Sequence, residues 1–281
     1  TVPSLPLIVS SIMSKKIAAG AQGIVLDVKA GSGAFMPTVE AARELAQAMV
    51  DIGDRVGRDM IACVSDMNQP LGDAVGNAPE VKEAIETLRG GGPSDFREHC
   101  LTVAQKMLLL AGQGKQWVDE AETRALLEEA LTNGAALTKF RLMVEAQGGD
   151  VRMVDDPSLM PQASIIETLT APHDGYIARF DALAIAKAAF ELGAGREKKG
   201  DSLDLAVGVV TRGNVGDTVK AGDVLVTFHA NDTERLARAK QLAQDALTLQ
   251  AEPVESLPLF YGFINGQRVT SIYAHMTGGS S

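Results

Sequence analysis

The chain opens on an apolar segment in which Leu5, Ile8, Ile12 and Ala19 fall close to the 3.6-residue period. That spacing predicts a helix over residues 3–19, with Pro3 and Pro6 tolerated in the first turn and Gly20 and Gly23 ending it. A continuous apolar run follows, Ile24-Val25-Leu26-Asp27-Val28, and then a glycine-rich turn, Lys29-Ala30-Gly31-Ser32-Gly33. A long amphipathic helix is expected from about Thr38 to Val56, then a second apolar run from Met60 to Val64 that ends in Ser65-Asp66. Strand, loop, helix and strand in this order are the pattern of a parallel α/β unit. Further helices are expected near 79–88, 95–111, 119–132 and 136–147, with Gly90-Gly91-Gly92-Pro93 breaking the series.

After Gly148-Gly149-Asp150 and Asp155-Asp156-Pro157 the pattern changes to short β-like runs: Ser164–Leu169, Gly175–Phe180, Leu203–Val210 and Val224–His229. One helix, about 181–192, interrupts them and stops at Gly193-Ala194-Gly195; a charged helix, about 232–250, follows. The expected class is α/β: a mostly parallel sheet flanked by helices, plus a C-terminal α+β domain of barrel-sandwich type. The expected segments are 1–20, a helix; 21–160, the central α/β domain; 161–262, the C-terminal domain; and 263–281, a flexible tail signalled by Asn265-Gly266 and the closing Gly/Ser tract. The start at Thr1, without Met, points to a fragment or a processed chain.

Composition narrows the function classes. Aromatics are 4% and the net charge is −10 over 281 residues, which argues against an aromatic nucleic-acid platform and against binding a phosphate backbone. Cys63 and Cys100 lie in apolar contexts without metal-ligand spacing and are expected to be buried, reduced thiols. His99, His173, His229 and His275 are scattered and form no metal motif. No apolar run is long enough to span a bilayer and no secretory signal is present, so a cytoplasmic protein without a membrane partner is expected.

Three stretches can carry chemistry. Ser11 and Lys15 are i and i+4 on the first helix, so a hydroxyl and an ammonium share one face and can read a ring edge; a solvated helix end is the alternative. The loop after the first strand can offer backbone N–H groups to an anion, or be a plain tight turn. Phe35 and Met36 just beyond it can wall a flat ring, or start a core. A third stretch, Pro172–Ile177 with Gly213–Asp223, resembles biotinyl- and lipoyl-type sandwich modules, but its hairpin tips lack a Met-Lys pair for a prosthetic group.

Together, Ser4–Ile8 with Ser11–Lys16, Asp27–Lys29 with Gly31–Met36, and Ser65–Gly72 with Gly76-Asn77 and Glu80–Ala84 resemble the thymidine/pyrimidine-nucleoside phosphorylase family over about residues 1–262. Gln69-Pro70-Leu71-Gly72 and Gly193-Ala194-Gly195-Arg196 are closer to the broad-specificity bacterial pyrimidine type. The resemblance implies reversible phosphorolysis of uridine, thymidine or deoxyuridine, phosphate as co-substrate, no organic cofactor and a homodimer. It implies that Ser11 and Lys15 hold the pyrimidine edge in catalysis, with Val2, Phe35 and Met36 as the apolar base pocket. Leu71, Ala74 and Glu83 match a potassium site of two carbonyls and a carboxylate. It further implies that residues 1–20 are a remnant of an N-terminal helical domain and that the phosphate-binding segment lies before Thr1. A sandwich-type carrier module and a non-catalytic fragment are the competing readings.

Overall fold

A computed structural model describes residues 4–112, 115–196, 198–267 and 269–270. The chain packs as two units, Thr1–Asp66 with Glu98–Glu129 and Pro258–Ser281, and Met67–Arg97 with Ala130–Leu257. Neither is a single run of sequence, so the division differs from the consecutive segments expected above.

The first unit is built on α1 (Leu5–Ala18), β1 (Gly23–Ala30), α2 (Val39–Arg55) and β2 (Asp59–Asp66). The Thr38 hydroxyl caps α2 by accepting from the Ala41 N–H at 3.2 Å, as a β-region N-cap threonine should. Ala42, Leu45, Ala46, Met49, Val50 and Gly53 are buried at helical spacing. At Gly53 a Cβ would stand 2.2 Å from Met60 Cγ, so only glycine lets α2 approach β2 there. β1 and β2 pair in parallel, Gly23 opposite Asp59 through Ala30 opposite Asp66. β2 is buried at every residue because both of its faces are covered. On one face Ile24, Leu26, Val28 and Ala30 pack with α2 and with Val9 and Met13 of α1. On the other, Ile61 and Cys63 meet Leu109 and Leu110 and the buried Val269.

In the second unit, β3 (Ala74–Gly76) leads into α3 (Ala78–Leu88). Helices α4 (Ser94–Gly112) and α5 (Glu120–Thr132) carry residues of both units, and α6 (Ala135–Ala146) and α7 (Arg152–Asp155) belong to the second. Then come β4 (Ile165–Thr170), β5 (Gly175–Phe180), α8 (Ala182–Ala189), β6 (Gly208–Thr211), β7 (Thr218–Val219), β8 (Val224–Ala230), α9 (Thr233–Ala246) and β9 (Leu247–Gln250). Two antiparallel sheets, β3-β6-β8-β4 and β7-β5-β9, enclose one core with Ile177, Phe180, Val209, Val226 and Phe228 at its centre and α8 and α9 packed on it. The helix expected over 181–192 is α8 followed by a π-turn, Phe190–Ala194, which Gly193 leaves at φ 111.

The α/β class holds; among the described strands only β1 and β2 pair in parallel. Three expectations are corrected. The helix expected to 250 stops at Ala246, and the alternating Leu247-Thr248-Leu249-Gln250 forms β9 against β5. Residues 263–265, expected in a flexible tail, belong to β10 (Phe260–Asn265), which pairs antiparallel with β2 and completes the order β1-β2-β10. Cys63 is buried, but Cys100 is exposed, because α4 turns the neighbouring His99 and Leu101 inward instead.

Candidate functional site

On α1 the core-facing stripe is Val9 and Met13. At about 100° per residue, Ser11 and Lys15 lie roughly 200° from Val9 and Met13 respectively, so both project away from the core, one turn apart, and both are exposed. Lys16 is exposed as well, but it lies roughly 140° round the helix from Ser11. Val2 lies outside the described residues.

The end of β1 sets the loop that follows. The Gly31 N–H donates to the Met36 carbonyl at 3.0 Å, and the Ala34 N–H donates to the Gly31 carbonyl. Ala30 and Met36 form a parallel bridge. Met36 is half-buried against the same apolar cluster that receives Ile8 and Ile12 of α1. Phe35, next to it, is 82% exposed, the most exposed large hydrophobic side chain among the described residues. Among the described residues no hydrogen bond joins Ser11 or Lys15 to this loop; α1 and the loop meet through Ile8, Ile12 and Met36.

On the opposite sheet face, at the carboxyl ends of β1 and β2, lies a polar group that the sequence did not disclose. The Asp27 carboxylate accepts from the Ser65 hydroxyl at 2.5 Å, lies 2.8 Å from His99 Nε2 and 3.0 Å from Lys29 Nζ. His99 comes from α4, is 6% exposed, and stacks on Phe260 with centroids 4.8 Å apart. Burial alone would raise the Asp27 carboxyl. The hydrogen bond from His99, the Lys29 charge and the Ser65 hydroxyl outweigh it and hold the group at about 2. Burial and the nearby Asp27 charge push the Cys63 thiol up to about 11, so it stays neutral. His99 is 72 residues from Asp27 and was one of four scattered histidines in the sequence. The only linear signal was a polar Asp and Lys inside an otherwise apolar strand.

In the second unit Glu83 of α3 turns back to the loop before β3. Its Oε2 accepts from the Asp73 and Ala74 N–H groups at 2.8 and 2.9 Å. Gly72, at φ 72, passes so close that a Cβ there would stand 2.5 Å from Glu83 Oε1. The Gly72 N–H donates to Asp95 at 3.1 Å. Burial raises the Glu83 and Asp73 carboxyls, and the Asp95 charge pushes both further. Ala74 and Glu83 also line a cavity of about 880 Å³, shared with Asp73, Lys82, Arg212 and His229. Thus Glu83 and Ala74 are brought into direct contact, with Leu71 at the start of the same loop. Glu83 meets Ala74 through the Ala74 N–H, and among the described residues no group of three or more His, Cys, Asp or Glu side chains is placed to hold a metal ion.

No helix among the described residues is long and apolar enough to cross a membrane. Comparison with known proteins matches residues 1–137 to the a/b domain of a glycosyl transferase family and residues 176–250 to the pyrimidine nucleoside phosphorylase C-terminal domain. The pyrimidine-nucleoside phosphorylase of Geobacillus stearothermophilus is 52% identical over 265 residues, covering 94% of this chain and 60% of the relative. That of Bacillus subtilis is 55% identical over 231 residues, 82% of this chain and 53% of the relative. That of Staphylococcus haemolyticus is 50% identical over 252 residues, 90% and 57% respectively. The chain therefore spans between half and two thirds of the length of these curated relatives. It belongs to the pyrimidine-nucleoside phosphorylase family.

Proposed function

We propose that this chain supplies the base-recognition part of a phosphorolytic site for pyrimidine nucleosides: uridine, thymidine or deoxyuridine. The observation that carries the reading is Phe35, a large ring left 82% exposed beside a loop fixed by the Gly31–Met36 hydrogen bond. An exposed aromatic on an ordered loop is a wall for a flat ring. In the reaction, phosphate attacks the sugar C1′ and the glycosidic bond breaks with its electron pair passing to the base. Negative charge then grows on the pyrimidine. Lys15 supports that charge at the N3/O4 edge, while the Ser11 hydroxyl, one turn away, fixes the ring's register. The family resemblance assigns Val2 to the apolar base pocket together with Phe35 and Met36.

In the second unit, the Leu71 and Ala74 carbonyls and Glu83 would hold a potassium ion. The carboxylates around Gly72 support it, since Glu83 Oε2 is taken by two amides, leaving Oε1 for an ion, while Asp73 is paired with Arg212. The ion would neutralise the Glu83 charge and stiffen the loop. A homodimer is the expected assembly, and no organic cofactor is invoked.

The test is uracil release from uridine, with and without phosphate, by the chain complemented with the part of the relatives that it does not span. Release that depends on phosphate and yields ribose 1-phosphate in equal amount is expected. Release independent of phosphate, or none on complementation, sinks the reading.

A further inference from the structure

Outside the residues already given a role, the polar group centred on Asp27 has an informative place in the fold. Three elements send one side chain each to a single carboxylate: Lys29 from β1, Ser65 from β2 and His99 from α4. The rest of that sheet face is apolar, with Ile61, Cys63, Leu109 and Leu110 filling it. A partly exposed ionic group held by the buried Ser65 and His99 in such a face is a local departure from the rule of apolar packing, and such departures collect where a site must be held. It also stands at the carboxyl ends of parallel strands, where open α/β sheets bind ligands.

The 2.8 Å contact makes His99 Nε2–H the donor to Asp27. Its Nδ1 is buried and has no hydrogen-bond partner among the described residues. The ring is held in one orientation by Asp27 on one side and Phe260 on its face. Three residues beyond Asp27, β1 ends at Ala30, which bridges to Met36, and the next N–H, from Gly31, closes the loop on Met36.

We propose that Asp27, fixed by Ser65 and His99, is a positioning residue for the base site: it locks the end of β1 and thereby the loop that presents Phe35 and Met36. The proposal rests on the base-site reading for its consequence in binding, but the lock itself can be read without any ligand.

The experiment uses the full chain and compares Asp27→Asn, Ser65→Ala and, as a control on the same sheet face, Leu109→Ala. Two quantities are measured: amide hydrogen exchange at Gly31 and uracil affinity. Asp27→Asn is expected to speed exchange at Gly31 at least tenfold and to weaken uracil binding by a similar factor. Ser65→Ala should do the same to a smaller degree and serves if Asp27→Asn folds poorly. Leu109→Ala should lower the melting temperature while leaving both readouts at the parent value. A further signature is the His99 ring ¹⁵N pattern, which should report a single Nε2–H tautomer in the parent and lose it in Asp27→Asn. If Gly31 exchange is unchanged in Asp27→Asn, or if Leu109→Ala moves both readouts as much for the same loss of stability, the lock is refuted. If the parent chain binds no uracil, the base-site reading fails, and the exchange at Gly31 still decides the lock.

Discussion

Glu83→Ala is the perturbation whose size follows most directly from the structure. The side chain's Oε2 accepts from two loop amides, Asp73 and Ala74, at 2.8 and 2.9 Å. Hydrogen bonds to a charged group contribute about 1.5–3 kcal/mol each. The loop is half-buried, so water replaces part of what is lost, and a net cost of about 3 kcal/mol is expected. For a unit of about 160 residues, roughly 2–4 °C of melting temperature is lost per kcal/mol, giving about 6–12 °C. The cation reading adds a second expectation. Burial and neighbouring acids raise the Glu83 carboxyl, so without a counter-ion the folded state becomes less stable as pH rises above the ordinary glutamate range. Potassium should relieve this in the parent and do nothing in Glu83→Ala. The assay is a melting curve of each protein in potassium and in choline chloride at equal ionic strength. A variant that melts within about 1 °C of the parent would refute the hydrogen-bond accounting. A parent indifferent to potassium would refute the cation site.

Three further outcomes are expected. Asp27 titrates near 2 when folded against 3.8 ordinarily, so its contribution is complete above about pH 4 and is lost as pH falls towards 2; it amounts to roughly 2 kcal/mol, less what solvent screening removes. Urea midpoints measured from pH 5 to pH 2 should therefore fall more steeply in the parent than in Asp27→Asn, and parallel curves would contradict this. Gly53→Ala forces a Cβ to 2.2 Å from Met60 Cγ and should destabilise the first unit by about 1–3 kcal/mol, the usual range for overpacking, read from a urea midpoint. Truncation before Phe260 removes β10 from β2 and should lower the melting temperature, whereas an unchanged melt would mean that the strand contributes nothing.

The elements with long, regular patterns were legible from sequence. The α2 stripe from Ala42 to Gly53 and the apolar runs of β1 and β2 appear where hydrophobic spacing puts them. What escaped were features of short range or long separation. Leu247–Gln250 alternates for four residues only and follows an amphipathic helix with no Gly or Pro between, so nothing marked the change of period. β10 sits next to a turn signal and a flexible-looking end, and its identity as a strand depends on β2, almost two hundred residues earlier in the chain. At the site, Ser11 with Lys15 was readable because one helical turn fixes their relation. Ser65 and His99 were not, since only the parallel register of β1 and β2 and the packing of α4 bring them to Asp27. The burial of Cys100 was misjudged for a similar reason: apolar neighbours in sequence do not say which side of a helix faces the core.

The central claim, that α1 and the Gly31–Met36 loop read a pyrimidine ring, is tested most directly by comparing Lys15→Met with Lys16→Met. Both lysines are exposed on α1, so neither substitution disturbs the core, and they differ only in direction from Ser11. Uracil affinity of the full chain is the readout. Loss of a charged hydrogen-bond donor should weaken binding about 10–100-fold in Lys15→Met, with Lys16→Met at the parent value. Equal affinities for the two variants would return Ser11 and Lys15 to a solvated helix face, and a larger loss in Lys16→Met would contradict the orientation of α1 on which the base site depends.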